Sequence, residues 1–207
     1  MQFKNLTLSS VFSDFDIEPT NKNVPKLDST LKNIVSVIYQ NTTDRTGPWI
    51  AGGMGRQLVL GETSYNDIDI WFRDLAQYDL VLARLQDAFG YEMTEKYASP
   101  NAMTYKIGHN VVQLIKRRWY QNLDAVFADF DFTCCQVAVD DDLTAYGPGV
   151  LDAKEYKLKL NRLDPEAFLA RYAKYLGYGY AMEPAEFLDI IENRTLNYEF
   201  DGTALGY

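Results

Sequence analysis

A chain of 207 residues that is 47% hydrophobic can bury one full core, so it needs no disulfide or structural metal to fold. Its formal net charge of −9 argues against a protein that tracks along nucleic acid on a broad basic face, and its single histidine, His109, excludes a histidine-rich metal centre. The longest purely apolar runs span a few residues, and the start MQFKNLTLSSVFSDF has neither a basic nor an apolar leader region, so a cytoplasmic protein without membrane contact is expected.

Residues 1 to 24 show no sustained period. From Leu27, the positions Leu31, Ile34, Val35 and Ile38 recur at helical spacing, with Asp28 or Ser29 available as a cap. After the loop NTTDRTGP come a short strand at Trp49 to Ala51, a short helix at Met54 to Leu60 stopped by Gly61, and a second strand at Ile68 to Phe72. A helix follows at Asp79 to Phe89, ended by Gly90. Two β-prone runs, Ala102 to Ile107 and Val111 to Lys116, form a hairpin around Gly108, His109 and Asn110, which makes His109 a turn residue. A short helix near Leu123 to Phe127 leads into a strand predicted from Phe130 to Asp140. Cys134 and Cys135 lie inside that apolar run and read as two reduced core thiols.

The last part changes character. Asp164 caps and Pro165 opens a helix carrying Phe168, Leu169, Tyr172, Tyr175 and Leu176, closed by Gly177; Pro184 opens another with Phe187, Leu188, Ile190 and Ile191. The expected fold class is therefore α/β (α+β): a mixed sheet with flanking helices over residues 1–150, and a helical appendix over 151–207 packed on it. Tyr172, Tyr175, Tyr178 and Tyr180 in the appendix suit either core packing or an interface. Lys116, Arg117 and Arg118, followed by Trp119 and Tyr120, place cations beside aromatics and serve either an anionic ligand or a solvated strand end.

The chemistry concentrates in WIAGGMGRQLVLGETSYNDIDIWF. Side chains alternate along a strand, so Asp67 and Asp69 share one face about 7 Å apart while Ile68 and Ile70 enter the core. Two such carboxylates can hold magnesium ions about 3.5 to 4 Å apart, which is the logic of phosphoryl and nucleotidyl transfer. Gly52 and Gly53 permit close approach of backbone to phosphate, and Arg56 in the first helical turn has the length to reach a phosphate oxygen. A nucleoside triphosphate with two magnesium ions is the ligand this pattern suits.

GGMGRQLVLG followed by NDIDIWF resembles the signature of the DNA polymerase beta-like nucleotidyltransferase superfamily, and its first part is similar to the GGxxRDxxLG head of tRNA nucleotidyltransferases and bacterial poly(A) polymerases. The resemblance covers about residues 49 to 140. It implies a nucleotidyltransferase core and transfer of a nucleoside monophosphate from the triphosphate to a hydroxyl: an RNA end, a protein or a small molecule, with DNA not expected. By carry-over, Gly52 and Gly53 contact the triphosphate, Arg56 supports it, and Asp67 and Asp69 are catalytic metal ligands.

Two positions depart from that pattern. Gln57 stands where the tRNA enzymes have Asp, which argues against CCA addition, and the usual place of a third acid, in VVQLI, holds Gln113, a poor magnesium ligand. Asp131 enters an otherwise apolar run, where an unpaired charge is expensive, and is the expected third catalytic acid and metal ligand; Asp129 has the same strand parity. FDF with the strand after it, and RYAKYLGYGY, also resemble the short nucleotidyltransferases of phages and large DNA viruses. The competing readings are a catalytically inactive nucleotide-binding protein, which Gln113 favours, and a regulatory component of toxin-antitoxin type.

Overall fold

The computed structural model describes residues 29–42, 46–62 and 67–195. The unpatterned start, the Asp28 cap and the tail from Asn197 lie outside them. Helix α1 (Ser29–Tyr39) buries Leu31, Ile34, Val35 and Ile38, the stripe its sequence spacing predicts. Strand β1 (Trp49–Ala51) leads through Gly52 into helix α2 (Gly53–Val59), and β2 (Ile68–Trp71) follows. Helix α3 (Leu75–Phe89) begins four residues before its apolar period, because the Asp74 carboxylate accepts the Gln77 amide at 2.8 Å and caps it.

Strands β3 (Met93–Ala98), β4 (Ala102–Ile107) and β5 (Asn110–Ile115) complete a meander. The edge strand β3 escapes the sequence reading because it is mostly exposed and so carries no apolar alternation. Helix α4 (Leu123–Phe127), capped by Asn122, precedes β6 (Ala138–Val139), β7 (Ala145–Tyr146) and α5 (Val150–Lys154); α6 (Phe168–Gly177), α7 (Pro184–Asp189) and a π-helical turn (Ile190–Thr195) follow. The seven strands form one mixed sheet in the order β3-β4-β5-β2-β1-β6-β7, with β2 and β5 parallel and the other pairs antiparallel. Among the described residues no helix is long and apolar enough to cross a membrane.

The sheet has two working faces. Ile50, Ile68, Ile70, Val112 and Leu114 pack with α1 and α3 in one cluster. Trp49, Ala51, Trp71 and Ile115 point the other way, towards Tyr120, Val126 and Phe127. A third cluster joins Phe132, Cys134 and Val137 to Phe168, Tyr180 and Ile190, so the late helices close over the segment before β6.

That segment corrects the predicted Phe130 to Asp140 strand. Phe132 makes one bridge to Leu160, Thr133–Cys135 is a 3-10 turn, and only Ala138 and Val139 join the sheet. The carbonyls of Thr133 and Gln136 face Gly149 and Gly147 so closely that a Cβ on either glycine would lie 2.1 or 2.5 Å from them. Both cysteines are free and buried there. A continuous apolar run is equally consistent with a buried strand and a buried turn, and the packing of residues 147–152 selects the turn.

Candidate active site

Strand alternation sends Ile68 and Ile70 into the α1–α3 core, which leaves Asp69 on the opposite face with Trp71; Asp67 immediately precedes the strand. Gly52 joins β1 to α2 at φ 109° and ψ −127°, a conformation that favours glycine. A Cβ at Gly52 would stand 3.7 Å from Asp69 Oδ2 and 3.2 Å from the Phe130 ring, and one at Gly53 would stand 3.7 Å from Asp67 Oδ1. The diglycine thus lies against both carboxylates. The amide of Gly52 is committed to the Val137 carbonyl at 2.8 Å, whereas α2 starts with no side-chain cap.

Burial, and then the charge of Asp67, push the Asp69 carboxyl up to about 8; Lys174 acts in the opposite sense. Burial also raises Asp67, again opposed by Lys174. Gln113 lies beside Asp69 in the parallel β2–β5 register, and its Nε2 donates to Asp67 Oδ2 at 2.9 Å. The position to which the resemblance assigns a third acid holds an amide that hydrogen-bonds Asp67. Two hard oxygen donors whose charges lack full compensation fit one divalent cation. Among the described residues no cluster of three or more carboxylate, histidine or cysteine side chains is present to hold an ion.

The remaining candidates stand differently from the expected arrangement. Asp131 is ion-paired to Arg171 and lies 3.8 Å from Arg162, while its buried Oδ1 makes no hydrogen bond. Asp129 is an ion-pair hub: Arg117, Arg118 and Arg162 surround it, and the Tyr120 hydroxyl donates to it at 2.6 Å. The basic run after β5 is thereby partly spent in anchoring its own loop, though Arg118 and Trp119 stay exposed. Arg56, expected at a phosphate, is 5% exposed; its guanidinium lies 5.1 to 5.6 Å from the ring centres of Tyr175, Tyr178 and Tyr180. Helix α2 turns it under α6 because Gly55 seats the helix on the Val137 carbonyl, 2.6 Å from where a Cβ would stand.

Helix α6 supplies neighbours that the motif does not contain. Arg171 reaches Asp131, the Tyr175 hydroxyl lies 2.6 Å from Cys135 Sγ, and the charge of Lys174 acts on both acids. The signal was the spacing in RYAKY, which puts Arg171, Lys174 and Tyr175 on one helical stripe, although nothing local says what that stripe faces. An open cleft lined by Thr46, Arg73, Asp74, Gln77 and Arg84 contains none of these residues and has no part in the site.

A family model described as Gad2, Gabija anti-defense 2 family protein, matches residues 25–154, more than half of the chain. The chain belongs to that family. No curated protein matches it by sequence. Among solved structures it is similar to the Bacillus stearothermophilus CCA-adding enzyme in complex with CTP, with a TM-score of 0.58 and 18% identity over 81% of this chain and 43% of that one. A tRNA-processing enzyme gives 0.56 and 20% over 81% and 46%, and the Thermotoga maritima CCA-adding enzyme complexed with tRNA gives 0.54 and 15% over 80% and 42%. The chain spans less than half the length of each. At these identities the likeness concerns the fold: a seven-stranded mixed sheet with flanking helices, similar to that of nucleotidyltransferases. The likeness does not single out a short phage type.

Proposed function

We propose that this chain is a nucleotidyltransferase that binds a nucleoside triphosphate with a divalent cation at Asp67 and Asp69 and transfers its nucleoside monophosphate to a hydroxyl, as part of countering the defence system in its family's name. The observation that carries this reading is the pair of carboxylates facing the Gly52–Gly53 bend, 3.7 Å from where a side chain on either glycine would begin. Magnesium bound there would supply the positive charge that the phosphates and the leaving pyrophosphate need. Gln113 would keep the Asp67 carboxylate turned into the site through its 2.9 Å bond. The absent side chains at Gly52 and Gly53 would leave room for the phosphate chain along the start of α2.

Asp131 would take the proton of the acceptor hydroxyl once Arg171 releases its Oδ2 and Arg162, 3.8 Å from its buried Oδ1, gives way. One cation fits the two acids; a second would need Asp131 freed in the same way. The acceptor is an RNA end, a protein hydroxyl or a small molecule, and a phage origin is the finer expectation that accompanies an anti-defence role.

A second reading, in which the protein binds nucleotide or a defence component without transfer, is favoured by Gln113 in the third-acid place and by the arginines on Asp129 and Asp131. Incubation with each labelled triphosphate and magnesium separates the two. Transfer predicts pyrophosphate release that Asp69→Asn abolishes, whereas nucleotide binding with no release supports the second reading. Expression in cells carrying the defence system checks the biological role, since relief by wild type that is lost in Asp69→Asn ties it to this site.

A further inference from the structure

We propose that Arg117, Arg118, Arg162 and Arg171 form a binding site for phosphate groups next to the diglycine bend. They come from the loop after β5, from the approach to α6 and from α6 itself, and they converge on two carboxylates. Arg117 and Arg118 both reach Asp129, to which Arg162 also extends at 3.1 Å. Arg162 lies 3.8 Å from Asp131 as well, and Arg171 is paired with that acid. The backbone beneath them is tied down: the amides of Asn161 and Arg162 donate to the Asp131 carbonyl at 2.7 and 3.1 Å, and the Asn161 side chain donates to the Phe130 carbonyl at 2.7 Å. Phe130, between the two acids in sequence, packs on Trp71 with ring centres 5.3 Å apart, and its ring lies 3.2 Å from where a Cβ on Gly52 would stand. The cluster therefore borders the bend.

Ion pairing within the protein does not use up these cations. Three guanidinium groups attend the single charge of Asp129, which already accepts the Tyr120 hydroxyl at 2.6 Å. One cation neutralises it, and each further one adds a repulsion that an anion relieves. With Asp131, and with Asp164 at 3.9 Å from Arg171, four arginines meet three acids in a chain whose formal net charge is −9. Donors are left over too. Arg162 Nε is buried and makes no hydrogen bond among the described residues, and Arg118, its side chain 55% exposed, stands 3.4 Å from Asp129, beyond good hydrogen-bond length. Forked guanidinium donors in surplus suit a phosphate, which presents charge and several acceptor oxygens on one small group. Trp119, 41% exposed and adjoining Arg118, offers a ring to a base attached to that phosphate. The site stands without the transfer reading; on that reading, a phosphate that draws Arg162 and Arg171 to itself would free Asp131.

Calorimetric titration of the full chain with a short oligouridylate, with inorganic tripolyphosphate and with oligoglutamate, in EDTA at low ionic strength, tests this with no divalent cation at Asp67 and Asp69. Binding of a phosphate probe in preference to oligoglutamate is expected; the oligouridylate bound more tightly marks a strand as the source, and tripolyphosphate bound as tightly or more so marks a free phosphate compound. Arg118→Gln and Arg171→Gln should each weaken the bound probe about fivefold or more, Arg118→Lys should weaken it less, and Asp69→Asn should leave it within about twofold. For the strand, each lost arginine should also lower the slope of log affinity against log salt by about 0.7, a change that loosened packing would not produce. Unchanged affinity in both glutamine variants, no binding of either phosphate probe by wild type, or oligoglutamate bound equally well would overturn the assignment. Failure here leaves nucleotidyl transfer at the acid pair untouched, and failure of the magnesium assay above leaves this site standing.

Discussion

Asp69 shows what a buried acid pair does to a residue. Burial, then the Asp67 charge, raise its carboxyl from 3.8 to about 8, so between those values the native chain binds more protons at Asp69 than the unfolded chain does. This contribution to stability is full below the unfolded value and is lost as pH rises through the folded one. Without divalent cations, Asp69→Asn should therefore gain stability relative to wild type as pH rises from about 4 to about 8; urea denaturation across that range checks it, and a difference that ignores pH would contradict the assigned environment. Cation binding opposes the same protonation, so it should tighten as pH approaches 8. If the chain transfers nucleotides, Asp67→Asn and Asp69→Asn should each lower turnover by about three decades, near 4 kcal/mol, and near-normal rates in both would remove the acids from the chemistry.

At the scale of elements, the site depends on how tightly α2 seats on β6. Gly55 faces the Val137 carbonyl with no room for a Cβ, and that same carbonyl accepts the Gly52 amide that shapes the bend. Gly55→Ala should cost about 1–3 kcal/mol in denaturant unfolding and disturb ligand binding, because the helix must rise off Val137, the residue before β6 that holds the bend. Asp74 tests a simpler rule. It caps α3 through the Gln77 amide, the first cause of its lowered carboxyl, so Asp74→Ala should cost about 1 kcal/mol at neutral pH, with the effect fading as pH falls below the normal carboxylate range. The ends of α2 and α4 and most of the β4–β5 hairpin were legible in the sequence because caps, glycines and alternation act over a few residues. Strand β3 was not, since an exposed edge strand is held by backbone pairing to β4 and needs no apolar face.

For the whole molecule, the late helices and the sheet are joined by packing and by charge. Asp129, 3% exposed, gathers arginines from the loop after β5 and from Arg162 ahead of α6. Asp129→Ala leaves those guanidinium groups around an empty hub and should cost about 3 kcal/mol, discounted from a fully buried pair because the arginines remain partly solvated. The third apolar cluster draws on both sides of the same junction, so sheet and late helices should melt in one transition when near-ultraviolet and far-ultraviolet signals are compared.

The acid pair and the diglycine were recognisable from residue order alone, because strand parity and glycine's backbone freedom are local properties that persist in any fold retaining those elements. The partners of Asp131, Asp129 and Arg56 were not readable in that way. Arg171 lies 40 residues beyond Asp131, and the tyrosines around Arg56 arrive from the end of α6 and the turn after it, more than a hundred residues later. A buried charge takes the nearest opposite charge in space, and chain folding sets that distance. Hence the sequence could nominate three acids for one pocket, whereas the docking of α6 and its approach loop placed arginines on the third, and the β2–β5 register set Gln113 beside the other two.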